Sequence, residues 1–240
     1  MTIIHLDETD STNRYLREYE GSGGEAVAVV ADFQTAGRGQ GKNRWESERG
    51  KNLTFSVRTS PRGVPVQQQF LLSMAIALAV RDTLATYADG MTVKWPNDIY
   101  WCDKKISGTL IETTVSGKDI RTCIFGTGIN INQTEFRSDA PNPVSLRQIL
   151  NRDVDREAVL RGVLDKLTEN LRLLAEGHAW EISCRYMEHL YRREGMFGYR
   201  DKGGDFTARI ETVEPDGHLV LKTDSGEERR YAFKEVAFRI

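Results

Sequence analysis

Lys94-Trp95-Pro96-Asn97-Asp98 places a cation, a large aromatic ring, a proline, an amide and a carboxylate within five residues. Val93 leads into it and Ile99-Tyr100-Trp101 leads out. Proline fixes its own φ and pushes the residue before it toward extended geometry. The pattern therefore predicts a strand, a stiff corner and a second strand. Such a corner holds polar side chains in fixed directions, as chemistry on a charged substrate requires. Taken alone, the five residues fit better a surface turn with a solvated Lys94 and Asp98, so their neighbours decide the matter.

On the N-terminal side of the corner, Val66 to Tyr87 carries apolar residues at helical spacing, among them Phe70, Leu71, Met74, Ala75, Leu78 and Leu84, which predicts a long helix. Before it, Leu53 to Thr59 alternates as a strand does, and Gln34 to Gly50 is a glycine-rich polar loop. Ala26 to Phe33 reads as a buried strand, Gly21 to Gly24 as a turn, and Ile3 to Leu6 as a short strand. Ser11 or Thr12 is placed to cap a helix running to about Glu20.

On the C-terminal side, Thr109 to Val115 and Ile120 to Ile129 are β-rich, and Ser116-Gly117-Lys118-Asp119 between them is a hairpin signal. Asp155 to Glu176 and Trp180 to Arg193 read as helices. After Gly195 the texture changes to short strands at Phe206–Val213, His218–Leu221, Arg229–Phe233 and Val236–Phe238, parted by turn residues. This is a small β-barrel or sandwich, and it places a boundary near Glu194.

The chain has 240 residues, 39% of them hydrophobic and 28% charged, with a formal net charge of -2. That length allows one large domain or a large and a small one. The near-neutral balance argues against a nucleic-acid binder, which usually presents a strongly basic face. Cys102, Cys123 and Cys184 are odd in number and form no Cys-x-x-Cys pair, which argues against a disulfide framework and fits a reducing cytoplasm. The N-terminus has no signal-peptide pattern. The longest apolar run, Met74 to Val80, is far too short to span a bilayer.

Four further segments carry chemistry. In Gly37-Arg38-Gly39-Gln40-Gly41-Lys42-Asn43-Arg44-Trp45, glycines permit close backbone approach and the cations suit a phosphate-bearing ligand. It is neither a Walker A loop nor a dinucleotide fingerprint, since the Gly spacing differs and no Gly-Lys-Ser/Thr ends it. Asp103 to Gly108 sets two lysines before a Ser-Gly, fit to neutralise a carboxylate or phosphate or simply to form a basic turn. Gly126-Thr127-Gly128-Ile129-Asn130-Ile131-Asn132 puts glycines inside a strand, a sign of close contact with another group or of tight packing. By period two, Asn130 and Asn132 share one strand face. Thr9-Asp10-Ser11-Thr12-Asn13 is a helix N-cap or a cradle for a small polar group.

In this order the segments resemble the biotin protein ligase family. The resemblance runs through Thr9–Asn13, Gln34-Thr35-Ala36-Gly37-Arg38-Gly39, Lys94–Asp98, Lys104-Lys105-Ile106-Ser107-Gly108-Thr109-Leu110-Ile111-Glu112 and Gly126–Asn130. It implies an α+β fold: a class II aminoacyl-tRNA-synthetase-like, biotin–lipoate ligase catalytic domain over residues 1–193, with a mixed sheet flanked by helices. A small C-terminal SH3-like β-barrel follows over 194–240. It also implies a two-step reaction in which biotin and Mg-ATP give biotinyl-5′-AMP, whose acyl group then passes to a lysine of a biotin carboxyl carrier protein.

The roles that the resemblance implies are these. Ser11, Thr12, Asn13 and Gln34 contact the ureido end of biotin, Gly37, Arg38 and Gly108 lie along it, and Lys105 meets its carboxylate. Arg38, Gly39, Trp45, Lys94, Asn97 and Asn130 bind ATP or the adenylate. Arg38, Lys94, Asp98 and Lys105 form the catalytic set, with Asp98 the candidate metal-side group and acceptor of the carrier lysine's proton. ATP and Mg²⁺ are the implied cofactors, and a monomer or homodimer is expected. The family loop commonly reads Gly-Arg-Gly-Arg-x-Gly-Arg-x-Trp, whereas Gln40, Lys42 and Asn43 here replace an arginine, a glycine and an arginine. Some members carry an N-terminal helix-turn-helix; the match here starts within ten residues of Met1, which predicts the short form without a DNA partner. The rivals are a lipoate or octanoate ligase of the same fold and a non-catalytic biotin sensor.

Overall fold

The computed structural model describes residues 1–21, 26–41, 43–138 and 142–240. The expected glycine turn at 21–24 lies mostly outside these, as does Lys42.

A seven-stranded mixed sheet forms the frame, in the order β1-β2-β3-β7-β6-β5-β4. Its strands are β1 (Thr2–Thr9), β2 (Val27–Gln34), β3 (Leu53–Thr59), β4 (Met91–Lys94), β5 (Asp98–Trp101), β6 (Lys104–Ser116) and β7 (Asp119–Ile129). Only β1 and β2 pair in parallel; the other neighbours are antiparallel. The β6–β7 hairpin turns at Gly117, whose φ of +64° suits glycine.

One face of the sheet is covered by α2 (Phe70–Leu84), behind which lie α4 (Arg156–Ala175) and α5 (Ala179–Glu188). The sequence predicts one apolar stripe on α2, but Leu71 to Val80 is buried on every side. Helices behind it account for the difference. Asn170 of α4 donates to Ala75 O at 2.9 Å, and a Cβ on Gly162 would sit 2.8 Å from Thr83 Cγ2, so α2 and α4 cross closely. The expected long helix begins as a 3₁₀ turn at Val66–Gln68, and α5 stops at Glu188 rather than Arg193. A short helix, α3 (Leu146–Leu150), was not foreseen.

The other face is covered only in part, by α1 (Thr12–Glu18). Leu16 packs there with Val27, Val29 and Ile124, and Arg58 of β3 donates to the Leu16 and Tyr19 carbonyls at 3.0 and 2.6 Å, fixing the end of the helix.

A separate antiparallel sheet follows, in the order β11-β10-β9-β8-β12. It comprises β8 (Phe197–Asp201), β9 (Gly204–Val213), β10 (Leu219–Thr223), β11 (Glu228–Tyr231) and β12 (Ala237–Phe238). This is the expected small SH3-like unit; β8 is the strand the sequence reading did not assign. Its interior is Tyr199, Ala208, Ile210, Leu219 and Leu221. Among the described residues no helix is long and apolar enough to cross a membrane.

Candidate active site

The partly covered sheet face becomes a cavity because of side-chain size along one face of three strands. Side chains two apart on a strand share a face. On β7 that face is Ile124, Gly126 and Gly128. Their cross-strand partners are Arg58, Ser56 and Thr54 on β3, and Glu112, Leu110 and Gly108 on β6. Ile124 is large and supports α1. Gly126 and Gly128 are not, and Gly108 lies opposite Gly128, so the floor drops away. A cavity of about 840 Å³ opens above it, toward the upper end of the range for small-molecule sites.

Each of these glycines leaves room for a particular group. A Cβ on Gly126 would fall 2.1 Å from Asn13 Oδ1, and one on Gly128 would fall 2.2 Å from Trp45 Cε2. On Gly108 it would come within 3.1 Å of Lys105 Nζ and 3.2 Å of Asp98 Oδ1. The two readings of the β7 glycines, close contact and tight packing, thus merge: the packed groups belong to the cavity.

One end of the cavity is a neutral polar network. Ser11 is the N-cap of α1, yet its side chain caps nothing. Instead the Thr12 amide donates to Gln34 Oε1 at 2.8 Å. Ser56 Oγ donates to Asn13 Oδ1 at 2.6 Å and lies 2.7 Å from Thr12 Oγ1, while Asn13 Nδ2 donates to Glu112 Oε2 at 3.0 Å. Ser11, Thr12, Asn13 and Gln34 all line the cavity. Ser56 is fully buried and was missed in the sequence. Its alternation with Phe55 and Val57 marks a polar face, which normally means solvent rather than a site.

The other end is charged. Lys105 Nζ donates to Asp98 Oδ2 at 2.6 Å, and the Asn97 amide, itself buried, donates to Ser73 Oγ on α2 at 3.1 Å. Asn97, Asp98, Lys105, Gly108 and Asn130 line this part. β7 ends at Ile129, so Asn130 and Asn132 do not share a strand face as expected. Asn130 donates to Val144 O at 3.1 Å, and Asn132 pairs with the Val154 backbone through both its donor and its acceptor.

Residues 37–41 and 43–45 form a flap rather than an open loop. Arg38 and Arg44 form an antiparallel bridge, Gly39 N donates to Asn43 O at 2.8 Å, and Trp45 N to Gly37 O at 3.1 Å. Arg38, Gly39, Gln40 and Trp45 line the cavity. Gly37 does not: it is buried with its Cα facing the Trp45 carbonyl, 2.9 Å from where a Cβ would be, so its contribution to a ligand contact is replaced by one to the flap's shape. Arg38 reaches Glu112 at 3.7 Å, which Arg17 also meets at 2.8 Å. Glu46, just past the flap, accepts from the Arg137 and Ser138 amides at 2.8 and 2.7 Å. Burial pushes its pKa up, but those bonds and one from Gln133 outweigh it and hold the carboxyl below the usual glutamate value.

The Trp95-Pro96 peptide is cis, and the corner divides its side chains between two partners. Pro96, Asn97 and Asp98 face the cavity. Lys94, expected at the phosphates, does not line it. Its ammonium lies 5.1 Å from the Tyr100 ring and 5.0 Å from the Phe238 ring of the C-terminal sheet, an arrangement that attracts a cation to two ring faces. Desolvation there lowers its pKa, with Asp98 opposing and Lys105 and Arg192 assisting. Trp95 is buried, donates to Gly217 O at 3.0 Å and packs 5.8 Å from the Phe233 ring.

The family model of the biotin/lipoate A/B protein ligase family matches residues 6–130, just over half of the chain. The chain belongs to that family. It is 29% identical to the bifunctional ligase/repressor BirA of Bacillus subtilis over 248 residues, covering 96% of this chain and 72% of that protein. The biotin–[acetyl-CoA-carboxylase] ligase of Mycobacterium tuberculosis is 31% identical over 166 residues, or 67% of this chain and 60% of that one. The structure of biotin protein ligase from Aquifex aeolicus in complex with biotin and ATP superposes with a TM-score of 0.81 at 30% identity, covering 99% of this chain and 98% of the other. With the family in hand, the neutral and the charged ends of one cavity acquire a common purpose.

Proposed function

We propose that this biotin/lipoate family member is an ATP-dependent biotin protein ligase. It forms biotinyl-5′-AMP from biotin and Mg-ATP and then transfers biotin to a lysine of a biotin carboxyl carrier protein. The observation that carries the reading is one cavity with a buried neutral hydrogen-bonding end and a cationic end. A ureido ring satisfies the groups of the first end. Thr12 and Asn13 line that end already bonded to Gln34, Ser56 and Glu112, and a ureido ring adds donors and an acceptor to their network where an alkyl or dithiolane acyl tail adds none. This disfavours lipoate and octanoate.

In the first step a biotin carboxylate oxygen bonds to the α-phosphorus as the bond to the pyrophosphate oxygen breaks. Two anions must approach, so positive charge has to be in place beforehand. Lys105 supplies it. An ammonium has three donors; one is held by Asp98, which leaves two for the carboxylate and the α-phosphate. Arg38 turns from Glu112 to the phosphate. The flap, with Trp45 against Gly128, keeps water from the mixed anhydride. Asn97 and Asn130 provide amides on the nucleotide side. In the second step the carrier amine bonds to the acyl carbon, AMP leaves, and Asp98 takes the amine's proton. Magnesium enters as part of Mg-ATP, held largely by substrate phosphates, as this ion prefers. The one cluster of three metal-ligating side chains among the described residues, Glu214, Asp216 and His218, lies on the turn between β9 and β10.

Residues 1–193 and 194–240 form the catalytic and C-terminal domains of this reading, which places the protein in the cytoplasm as a monomer or homodimer. Transfer of labelled biotin to a carrier lysine, with lipoate as competitor, tests it. Pyrophosphate release that depends on biotin and ignores lipoate is expected; biotin binding with no release on adding Mg-ATP supports the sensor instead.

A further inference from the structure

The neutral end of the cavity has a direction, and a carboxylate behind it sets that direction. Glu112 stands on β6, on the same face as Leu110 and Gly108. Its Oε2 accepts from Asn13 Nδ2 at 3.0 Å and its Oε1 from Arg17 at 2.8 Å. Among the described residues it is the carboxylate bonded to a side chain of the neutral end; Asp10 reaches only the Ser11 amide there. Glu112 does not itself line the cavity. In the first step it is only the group that Arg38 leaves.

Counting protons gives the direction. A carboxylate accepts and cannot donate, whereas a primary amide accepts at one atom and donates at the other. Facing Glu112, Asn13 must turn its Nδ2 to the carboxylate and its Oδ1 to Ser56, whose Oγ is 2.6 Å away. Ser56 has one hydroxyl proton, and Oδ1 takes it. The Ser56 and Thr12 oxygens lie 2.7 Å apart, so Thr12 must donate in its turn. The 3.2 Å approach of Thr12 Oγ1 to Gln34 Oε1 is the weaker claim on that proton. Thr12 has then spent its proton inward and offers the cavity lone pairs alone. Gln34 Oε1 is held by the Thr12 amide at 2.8 Å, which leaves its Nε2 as a donor. The donations run one way, from Thr12 to Ser56 to Asn13 to Glu112, and each polarises the next. An acceptor and a donor thus face the cavity together, matching the N–H and C=O of a cyclic urea. Reversing the chain would free the Thr12 proton to point at the urea N–H.

We propose that Glu112 is a positioning residue for biotin selection: by fixing the direction of this chain it makes Thr12 an acceptor for a urea N–H. This rests on reading the neutral end as a biotin site. The rival is that Glu112 only pairs with Arg17 and steadies α1. That role needs negative charge at position 112. The proposed one needs an acceptor facing Ser56, whichever residue enforces it.

The test measures biotin affinity of the full chain by calorimetry, without nucleotide so that the phosphate role of Arg38 does not enter. In Glu112→Gln the single amide oxygen is drawn to Arg17, the new N–H group faces Asn13, and Asn13 flips. Biotin binding is expected to weaken about ten-fold, the scale of one hydrogen bond. Asn13→Asp sets two carboxylates together and should weaken it at least as much. With both substitutions, the glutamine at 112 donates to the aspartate at 13, whose other oxygen again takes the Ser56 proton. Affinity is then expected to return to within about three-fold of the wild type, a coupling that independent sites do not show. Arg17→Gln leaves the direction intact and should bind biotin as the wild type does. Wild-type affinity in Glu112→Gln overturns the proposal. So does a double variant no tighter than the worse of the two single variants, which marks a role in folding or charge alone. A loss in Arg17→Gln equal to that in Glu112→Gln also overturns it and assigns Glu112 to the ion pair. Failure of the wild type to bind biotin sinks the biotin reading itself. Glu112-dependent binding with no biotin-dependent pyrophosphate release on adding Mg-ATP sinks the ligase reading alone.

Discussion

Lys105 Nζ and Asp98 Oδ2 meet at 2.6 Å across the bulge where β5 and β6 slip register between Ile99 and Tyr100. The bulge turns both side chains to the cavity, and Gly108 leaves the space in which they meet. Removing Lys105 by Lys105→Ala is expected to lower adenylate formation by about 10²–10³-fold, the scale of losing one preorganised charge. Asp98→Asn keeps the shape and frees the ammonium, so a smaller loss in the first step and a larger one in transfer are expected. Single-turnover pyrophosphate release and biotin transfer, measured separately, check this. Both groups are about a quarter to a third exposed, so the melting temperature of either variant should stay near that of the wild type.

The β7 glycines predict opposite failures. In Gly126→Ala the new methyl meets Asn13 Oδ1 inside a buried network; overpacking there is expected to destabilise the fold by about 1–3 kcal/mol. In Gly128→Ala it meets the indole of Trp45 on the flap, and the flap moves instead. That variant should melt like the wild type yet leak hydrolysed adenylate. Thermal unfolding beside biotin consumption without carrier decides between the two; equal melting temperatures for both variants contradict this account.

Glu46 ties the end of the flap to Arg137 and Ser138. Its folded pKa is below the ordinary glutamate value, so its contribution is fully present above that value and fades as pH falls through the depressed one. At neutral pH the tie is intact. Below the ordinary glutamate range the amides of Arg137 and Ser138 should exchange hydrogen faster, after correction for intrinsic rates. Glu46→Ala should show that fast exchange at pH 7 and lose the pH dependence.

Lys94 is expected to act through the C-terminal sheet. Lys94→Met preserves apolar packing between Tyr100 and Phe238 but removes the cation, at about 2 kcal/mol for a desolvated contact. The melting temperature should fall by a few degrees, while adenylate formation drops far less than in Lys105→Ala. A first-step loss equal to that of Lys105→Ala returns Lys94 to the phosphates.

The Lys94 case shows where sequence reading stops. Local signals were clear: β3 runs from Leu53 to Thr59 as the alternation predicts, and Gly117 turns the β6–β7 hairpin. The ordered motifs assembled around one cavity. What period and propensity do not carry is the partner that arrives from far along the chain. Lys94 turns from the cavity because Phe238, distant in sequence, offers it a ring. Ser56 reads as a solvent-facing strand residue until α1 folds over it. Asn132 looks like a strand residue until Val154 takes both ends of its amide. β8 was passed over because Phe197 to Asp201 mixes aromatic and charged residues, and its fit depends on β9 and β12 beside it.

The seat of Trp95 has a consequence for how the protein can be divided. Its indole is roofed by Phe233 and tethered to Gly217, and the next three residues of the same corner face the ligand cavity. Cutting the chain between α5 and β8 would remove no side chain of the Lys105–Asp98 pair. It would nonetheless leave a large ring facing water and the corner braced from one side only. The small sheet thus works as a buttress, and the larger sheet cut free of it should keep the Lys105–Asp98 pair while losing its aim.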